Sequence, residues 1–94
     1  MRLIEQEMVQ AVNNQSNWSK DNTMVTYQPL DNVSYIYLHG HHIATYSHLG
    51  LEVFPNLDTL ATWPTVTTKS RLRALGVNVY TRKGITYVND REVA

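Results

Sequence analysis

The chain reads as an α+β fold: an antiparallel sheet of hairpins, an N-terminal helix, and a second helix before the C-terminal hairpin, in the order α-β-β-β-β-α-β-β. Two observations carry this. Apolar residues recur at helical spacing near the N-terminus and again around residues 65–75, whereas elsewhere the period falls to two. Helices and strands do not alternate in the βαβ manner, so nothing calls for a parallel sheet. With 94 residues, residues 1–94 are read as one small domain.

Each element has its own signal. Over residues 2–14, Ile4, Met8, Ala11 and Val12 share one helical face, flanked by Leu3 and Val9. Glu5 and Glu7 sit in the early turns, where the helix dipole favours anions. The polar stretch 15–23 reads as a connecting loop, with Trp18 folded back onto the core. Met24–Tyr27 suits a strand that Pro29 ends, and Asp31–Asn32 is a turn pair. In 33–38, Val33, Tyr35 and Tyr37 share one face and Ser34, Ile36 and Leu38 the other. Both faces hold apolar residues, so this strand is expected to be central. Gly40 breaks it in a turn spanning His39–His42, and Ile43–Tyr46 resumes. His48–Gly50 forms a second turn, and Leu51–Phe54 a further strand stopped by Pro55. Residues 56–64 read as irregular. A second helix starts with Thr65 or Thr67 as N-cap and runs to about Leu75, with Gly76 as its left-handed C-cap. Residues 77–81 and 85–88 alternate around Arg82-Lys83-Gly84 and form the last hairpin.

Composition narrows the function classes. The chain has no cysteine, which excludes thiol catalysis and cysteine-ligated zinc and favours a reducing compartment. No apolar stretch approaches the roughly 20 residues of a membrane span, and Glu5 and Glu7 fall where a signal peptide would carry its apolar run. The expectation is a cytoplasmic protein with no membrane partner. No nucleophile elbow, phosphate-binding glycine loop or metalloprotease helix is present. A chain of this length also leaves little room for a pocket of about 300 Å³ or more with a supporting shell. The expectation is therefore no enzyme and no cofactor.

Charge is unevenly spread although the total is zero. Residues 1–65 carry six acids against two bases, a net −4, whereas 66–86 carry five bases, Lys69, Arg71, Arg73, Arg82 and Lys83, and no acid. On a helix, Thr68, Leu72 and Leu75 face the core, Lys69 and Arg73 are i,i+4 neighbours on another side, and Arg71 lies at the flank. Like charges at that spacing repel by a few tenths of a kcal/mol. Two readings follow. The five cations form a nucleic-acid or polyanion site on a helix and a hairpin tip. Alternatively they are ordinary solvated surface, or are balanced by the acidic N-terminal helix.

His39, His41, His42 and His48 fall within ten residues. Of these, His39, His41 and His42 are the metal-ligand candidates, weak ones because no carboxylate stands at a familiar spacing. A turn that happens to be histidine-rich is the plainer reading. Tyr35, Tyr37, Tyr46, Tyr80 and Tyr87 lie on alternating strands. A row of them left outside the core makes a protein-binding face or a platform for single-stranded bases; packed singly, each is simply a core residue with its hydroxyl at the surface.

A longer pattern resembles a known family. Tyr37-Leu38-His39-Gly40, Ile43-Ala44, Trp63, Thr67-Thr68-Lys69, Arg71-Leu72, Leu75, Val79, Lys83-Gly84 and Tyr87-Val88-Asn89 follow one another as in a family of short bacteriophage proteins. The likeness covers roughly residues 1–90. The chain departs from it at Asn89-Asp90, where Asn-Gly is usual, and at Arg82-Lys83, where two lysines are usual; both leave the hairpin intact. The resemblance implies a phage or mobile-element origin and expression in a bacterial cytoplasm, and carries over no activity and no site residue. The expected function is a non-enzymatic accessory protein that binds a host or phage protein through a sheet face and its second helix. Nucleic-acid binding by Lys69–Lys83 is the alternative, and a small metal protein or enzyme built on His39–His48 a third. Exposed strand edges leave a homodimer open.

Overall fold

The structure, a computed structural model, describes residues 1–93. Helix α1 spans Leu3–Asn13, and strands β1 (Trp18–Lys20), β2 (Thr23–Gln28), β3 (Val33–Leu38), β4 (His41–Ser47) and β5 (Glu52–Pro55) follow. Helices α2 (Leu57–Thr62) and α3 (Val66–Ala74) come next, then strands β6 (Val79–Arg82), β7 (Ile85–Val88) and β8 (Arg91–Glu92). The α+β class holds. The first five strands form an antiparallel meander in chain order, the last three a second one.

The turns are dictated locally. His39 and Gly40 have φ 51° and 78°, and Lys83 and Gly84 φ 52° and 78°. Positive φ at both central residues matches the right-handed twist of the flanking strands, and glycine at the second position removes half the steric cost. Thr65 caps α3 by accepting from the Thr68 N–H at 3.1 Å. At the other end Gly76, at φ 99°, ends the helix as expected.

Four expectations are corrected. Residues 15–23 are not all loop, because Trp18–Lys20 pairs with β2 in the register Trp18↔Val25. Residues 56–64 hold α2, whose N-cap Asn56 accepts from the Thr59 N–H at 3.2 Å and whose Leu60 is fully buried. The C-terminal hairpin gains β8, turned by Asn89 and Asp90 at φ 50° and 66°. The histidine turn is confined to His39–Gly40, so His41 and His42 lie in β4.

All three helices lie on one side of the five-stranded sheet. Met8, Ala11 and Val12 of α1, Leu60 of α2 and Leu72 of α3 form one cluster with Val25, Ile36, Leu38, Ile43 and Ala44. Val77, Val79 and Val88 join the second sheet to it. Fully burying a side chain such as Met8, Ile36 or Leu72 stabilises the fold by about 1.5–3 kcal/mol. A bulge at Ile36/Tyr37 makes Ile43 the extra residue of β4, so that Ile43 and Ala44 are both buried.

Candidate functional site

The five cations of the basic segment do not form one surface. Arg71 is buried, its Nη1 donates to Glu5 Oε2 at 2.7 Å and its Nε to Thr23 Oγ1 at 3.1 Å. Glu5 also accepts from Ser70 Oγ at 2.6 Å. Burial pushes the Glu5 carboxyl up, but the hydrogen bonds from Ser70 and Arg71 and the Arg71 charge outweigh it and hold it below the usual carboxylate range. Lys69 is buried too, its ammonium donating to Thr81 Oγ1. Arg73 is exposed, with Nε donating to the Val79 carbonyl at 2.8 Å, which ties the end of α3 to β6. Only Arg82 and Lys83, exposed at the hairpin tip, make no side-chain hydrogen bond to another described residue.

The histidines are separated by the strand alternation and do four different things. His39 is exposed in the turn. His41 stacks on Trp63, ring centroids 5.1 Å apart. His42 sits between Asn56 and Thr45. Because Asn56 Oδ1 caps α2, its Nδ2 faces His42 Nδ1 at 3.2 Å, so that nitrogen accepts. The ring proton is then on Nε2, donated to Thr45 Oγ1 at 2.8 Å. His48 pairs its Nε2 with Ser34 Oγ at 2.8 Å, and its backbone N–H donates to the Asn32 carbonyl at 3.1 Å. Among the described residues, no three His, Asp or Glu side chains converge on a metal position.

What the topology does bring together is the sheet face turned away from the helices. Cross-strand pairing sets Met24 opposite Tyr37 and Tyr37 opposite His42. A parallel row runs Thr26, Tyr35, Thr45, Phe54. Tyr35 and Tyr37 hold the His42 ring between them at 5.7 Å each. None of these side chains is buried, whereas their strand neighbours Val25, Ile36 and Ala44 are completely so. The third row, Gln28, Val33, Ser47, Glu52, supplies the single charge on the face, at its margin. Exposed sheet faces are normally covered with Lys, Glu and Arg. Depletion of charge together with Tyr, Phe and Met is the composition of an interface centre.

One end of this sheet adds a feature that the sequence did not signal. The β2–β3 and β4–β5 turns lie side by side, joined by the His48–Asn32 backbone bond; within the first hairpin Tyr27 Oη donates to Asn32 Oδ1 at 2.8 Å. On these turns Leu30, Leu49 and Leu51 are 92%, 82% and 76% exposed. Leu51 also holds φ 52°, a conformation that a bulky residue adopts only at a cost. Turn positions carry no periodicity, so nothing in the sequence marks these leucines. Helix α3 lies on the opposite side of the sheet, so the open face and the second predicted helix do not share a surface.

Two cavities bear on the residues already described. A cleft of about 700 Å³ opens where Phe54 and Leu57 face Val88 and Val93, larger than the chain length led us to expect. Its walls carry Asp58, Arg91 and Glu92 but no His, Ser, Thr or Lys. A smaller one of about 230 Å³ lies between the β3–β4 turn and the start of α3, walled by Leu38, Ile43, His41 and Trp63. Among the described residues, no helix is long and apolar enough to cross a membrane.

Neither a curated protein nor a solved structure matches the chain. A family model does, over residues 1–94, its description being Kyanoviridae Gp96 protein. The expectation of a phage origin thus meets a full-length match, and the chain belongs to the Kyanoviridae Gp96 protein family, a family of phage proteins.

Proposed function

We propose that this phage protein is a non-enzymatic binding module, acting in the cytoplasm of the infected bacterium, whose open sheet face is its protein-binding surface. One observation carries the reading: Met24 and Phe54 lie exposed and Tyr35 and Tyr37 half-buried on an almost uncharged face, while the other face of the same strands is sealed by three helices. Large aromatic side chains lose little conformational freedom on contact and bury much apolar area, which is why they dominate interface energetics. Sequestering this face releases its apolar surface from water at about 25 cal/mol per Å².

The basic segment gives less support to nucleic-acid binding. Arg71 is paired with Glu5, and Lys69 is buried against Thr81. Phosphates are left Arg73, Arg82 and Lys83.

Affinity capture from phage-infected cells tests the proposal. Wild-type protein is expected to retain a discrete protein partner through a high-salt wash, because apolar contact is not screened by ions. The Tyr35→Glu, Tyr37→Glu double variant, shown by circular dichroism to be folded, is expected to lose it. Equal retention by both proteins places binding elsewhere and rejects the open-face assignment.

A further inference from the structure

We propose that the open face has a second copy of this chain as its occupant, so that two five-stranded sheets pack face to face as a sandwich. This rests on the binding-face reading above and names its partner.

Charge is the first reason. A two-fold interface sets each residue's patch against the same patch of the partner, so any charged group near its centre meets its own copy. The open face has none there. Its single charged residue, Glu52, lies on the edge strand β5 and at the end of that strand. The two-fold axis relating stacked sheets must lie in the plane between them. An axis along the strands carries Glu52 over the partner's β1; an axis across them carries it to the opposite end of the sheet. In both cases the two carboxylates lie at opposite margins. The whole chain also has zero formal charge, so no long-range repulsion opposes association.

Area is the second reason. The five strands hold three, six, six, seven and four residues, and at about 4.8 Å between strands and about 3.3 Å along them each residue covers about 16 Å². Two such faces bury roughly 800 Å² in flat projection, against about 1,000 Å² for a specific interface. Corrugation by the tyrosine and phenylalanine rings adds to that figure. Leu30, Leu49 and Leu51 rim one end of the sheet and extend the apolar area beyond the strands. Sheets stacked in this way sit about 10 Å apart, a gap that rings from both sides fill.

Chemistry is the third. Tyr35, in the central strand, and Thr26, its neighbour on β2, offer side chains that both donate and accept hydrogen bonds. A copy therefore satisfies a copy without a complementary partner having to be found.

Sedimentation equilibrium of the full chain over a range of concentrations decides the matter. The wild type is expected at twice the chain mass. Tyr35→Arg sets two cations beside the two-fold axis and is expected to weaken the dimer at least about a hundredfold. Thr26→Arg serves as a second probe if the first variant fails to fold, and Lys83→Glu, at the exposed tip of a hairpin in the other sheet, is expected to leave the dimer unchanged. A wild type at single-chain mass at every concentration overturns the proposal, as does a dimer that survives Tyr35→Arg and Thr26→Arg in folded protein. A monomer that still loses a captured partner on Tyr35 and Tyr37 substitution removes only the second copy. A monomer that loses nothing removes the binding face as well.

Discussion

The two faces of the five-stranded sheet invert the usual arrangement. On the covered side Glu5 and Arg71 sit between α1, α3 and β2, and Lys69 sits between α3 and β6, three ionisable groups 92% or more buried. On the side facing solvent sit Tyr35, Tyr37, Met24 and Phe54, with one carboxylate at the margin. Formal charge in the sequence is therefore a poor guide to which surfaces of this molecule are charged. Its basic segment is largely spent on holding α1, α3 and the last hairpin together, whereas the face proposed for contact is nearly neutral.

The largest expected effect follows from the Glu5–Arg71 pair, 2.7 Å long and almost wholly sheltered from water. Replacing Arg71 with Met leaves an uncompensated buried carboxylate and should destabilise the protein by about 3–5 kcal/mol, a large share of the ~5–10 kcal/mol a small domain possesses. Adding Glu5→Leu should recover most of that loss, because two apolar groups of similar volume replace the pair. Urea denaturation of the single and double variants measures both. A single variant as stable as the wild type would show that the arginine is solvated surface after all.

Acid sharpens the same contrast. The Glu5 carboxyl is held below its ordinary value in the folded protein, so the unfolded chain binds its proton first as pH falls. The pair's stabilisation is complete above the unfolded carboxylate value of about 4.3 and fades as pH drops through the folded value. Thermal melts from neutral pH downward should show this loss in the wild type. In Arg71→Met the Ser70 hydrogen bond still lowers the carboxyl, but the arginine's hydrogen bond and charge no longer oppose burial, so the acid loss should shrink.

A third test compares neighbours in one strand. Ile36→Val on the covered face should cost about 0.5–1.5 kcal/mol, the usual result of removing a buried methylene. Tyr35→Phe, one residue away on the open face, removes a hydroxyl that makes no hydrogen bond to another described residue and should stay within about 0.5 kcal/mol. Equal costs would mean that the open face is as tightly packed as the covered one.

Much of this was legible in the sequence, and the gaps have physical causes. Helix α1, strands β2, β3, β6 and β7, and α3 with its Thr65 cap announced themselves by period and by cap residues. Strands β1 and β8 are three and two residues long, and α2 six, too short for either period to show. The alternation of β3 was visible, but both its faces are apolar, so which one the helices would cover was not. Placing Arg71 at the flank of α3 was correct as helical geometry. Its burial depends on Glu5, 66 residues away, and local periodicity carries no information about contacts at that distance. The possibility that the acidic N-terminal helix balances the basic segment was the nearest sequence reasoning came to it.

The smallest effect concerns two hairpin turns, one in each sheet. His39 and Lys83 occupy the first central position of two-residue hairpin turns, at φ 51° and 52°, where a side chain with Cβ crowds its own carbonyl. Asparagine tolerates that region better because its short amide bonds locally to the backbone, and Asn-Gly is the favoured pair for such turns. His39→Asn and Lys83→Asn should each raise stability by a few tenths to about 1 kcal/mol, read as a melting-temperature rise of a few degrees. His39 borders the small cavity, whereas Lys83 is exposed and does not line it. A gain at Lys83 with none at His39 would therefore show that the histidine ring contributes packing which the turn geometry alone does not reveal.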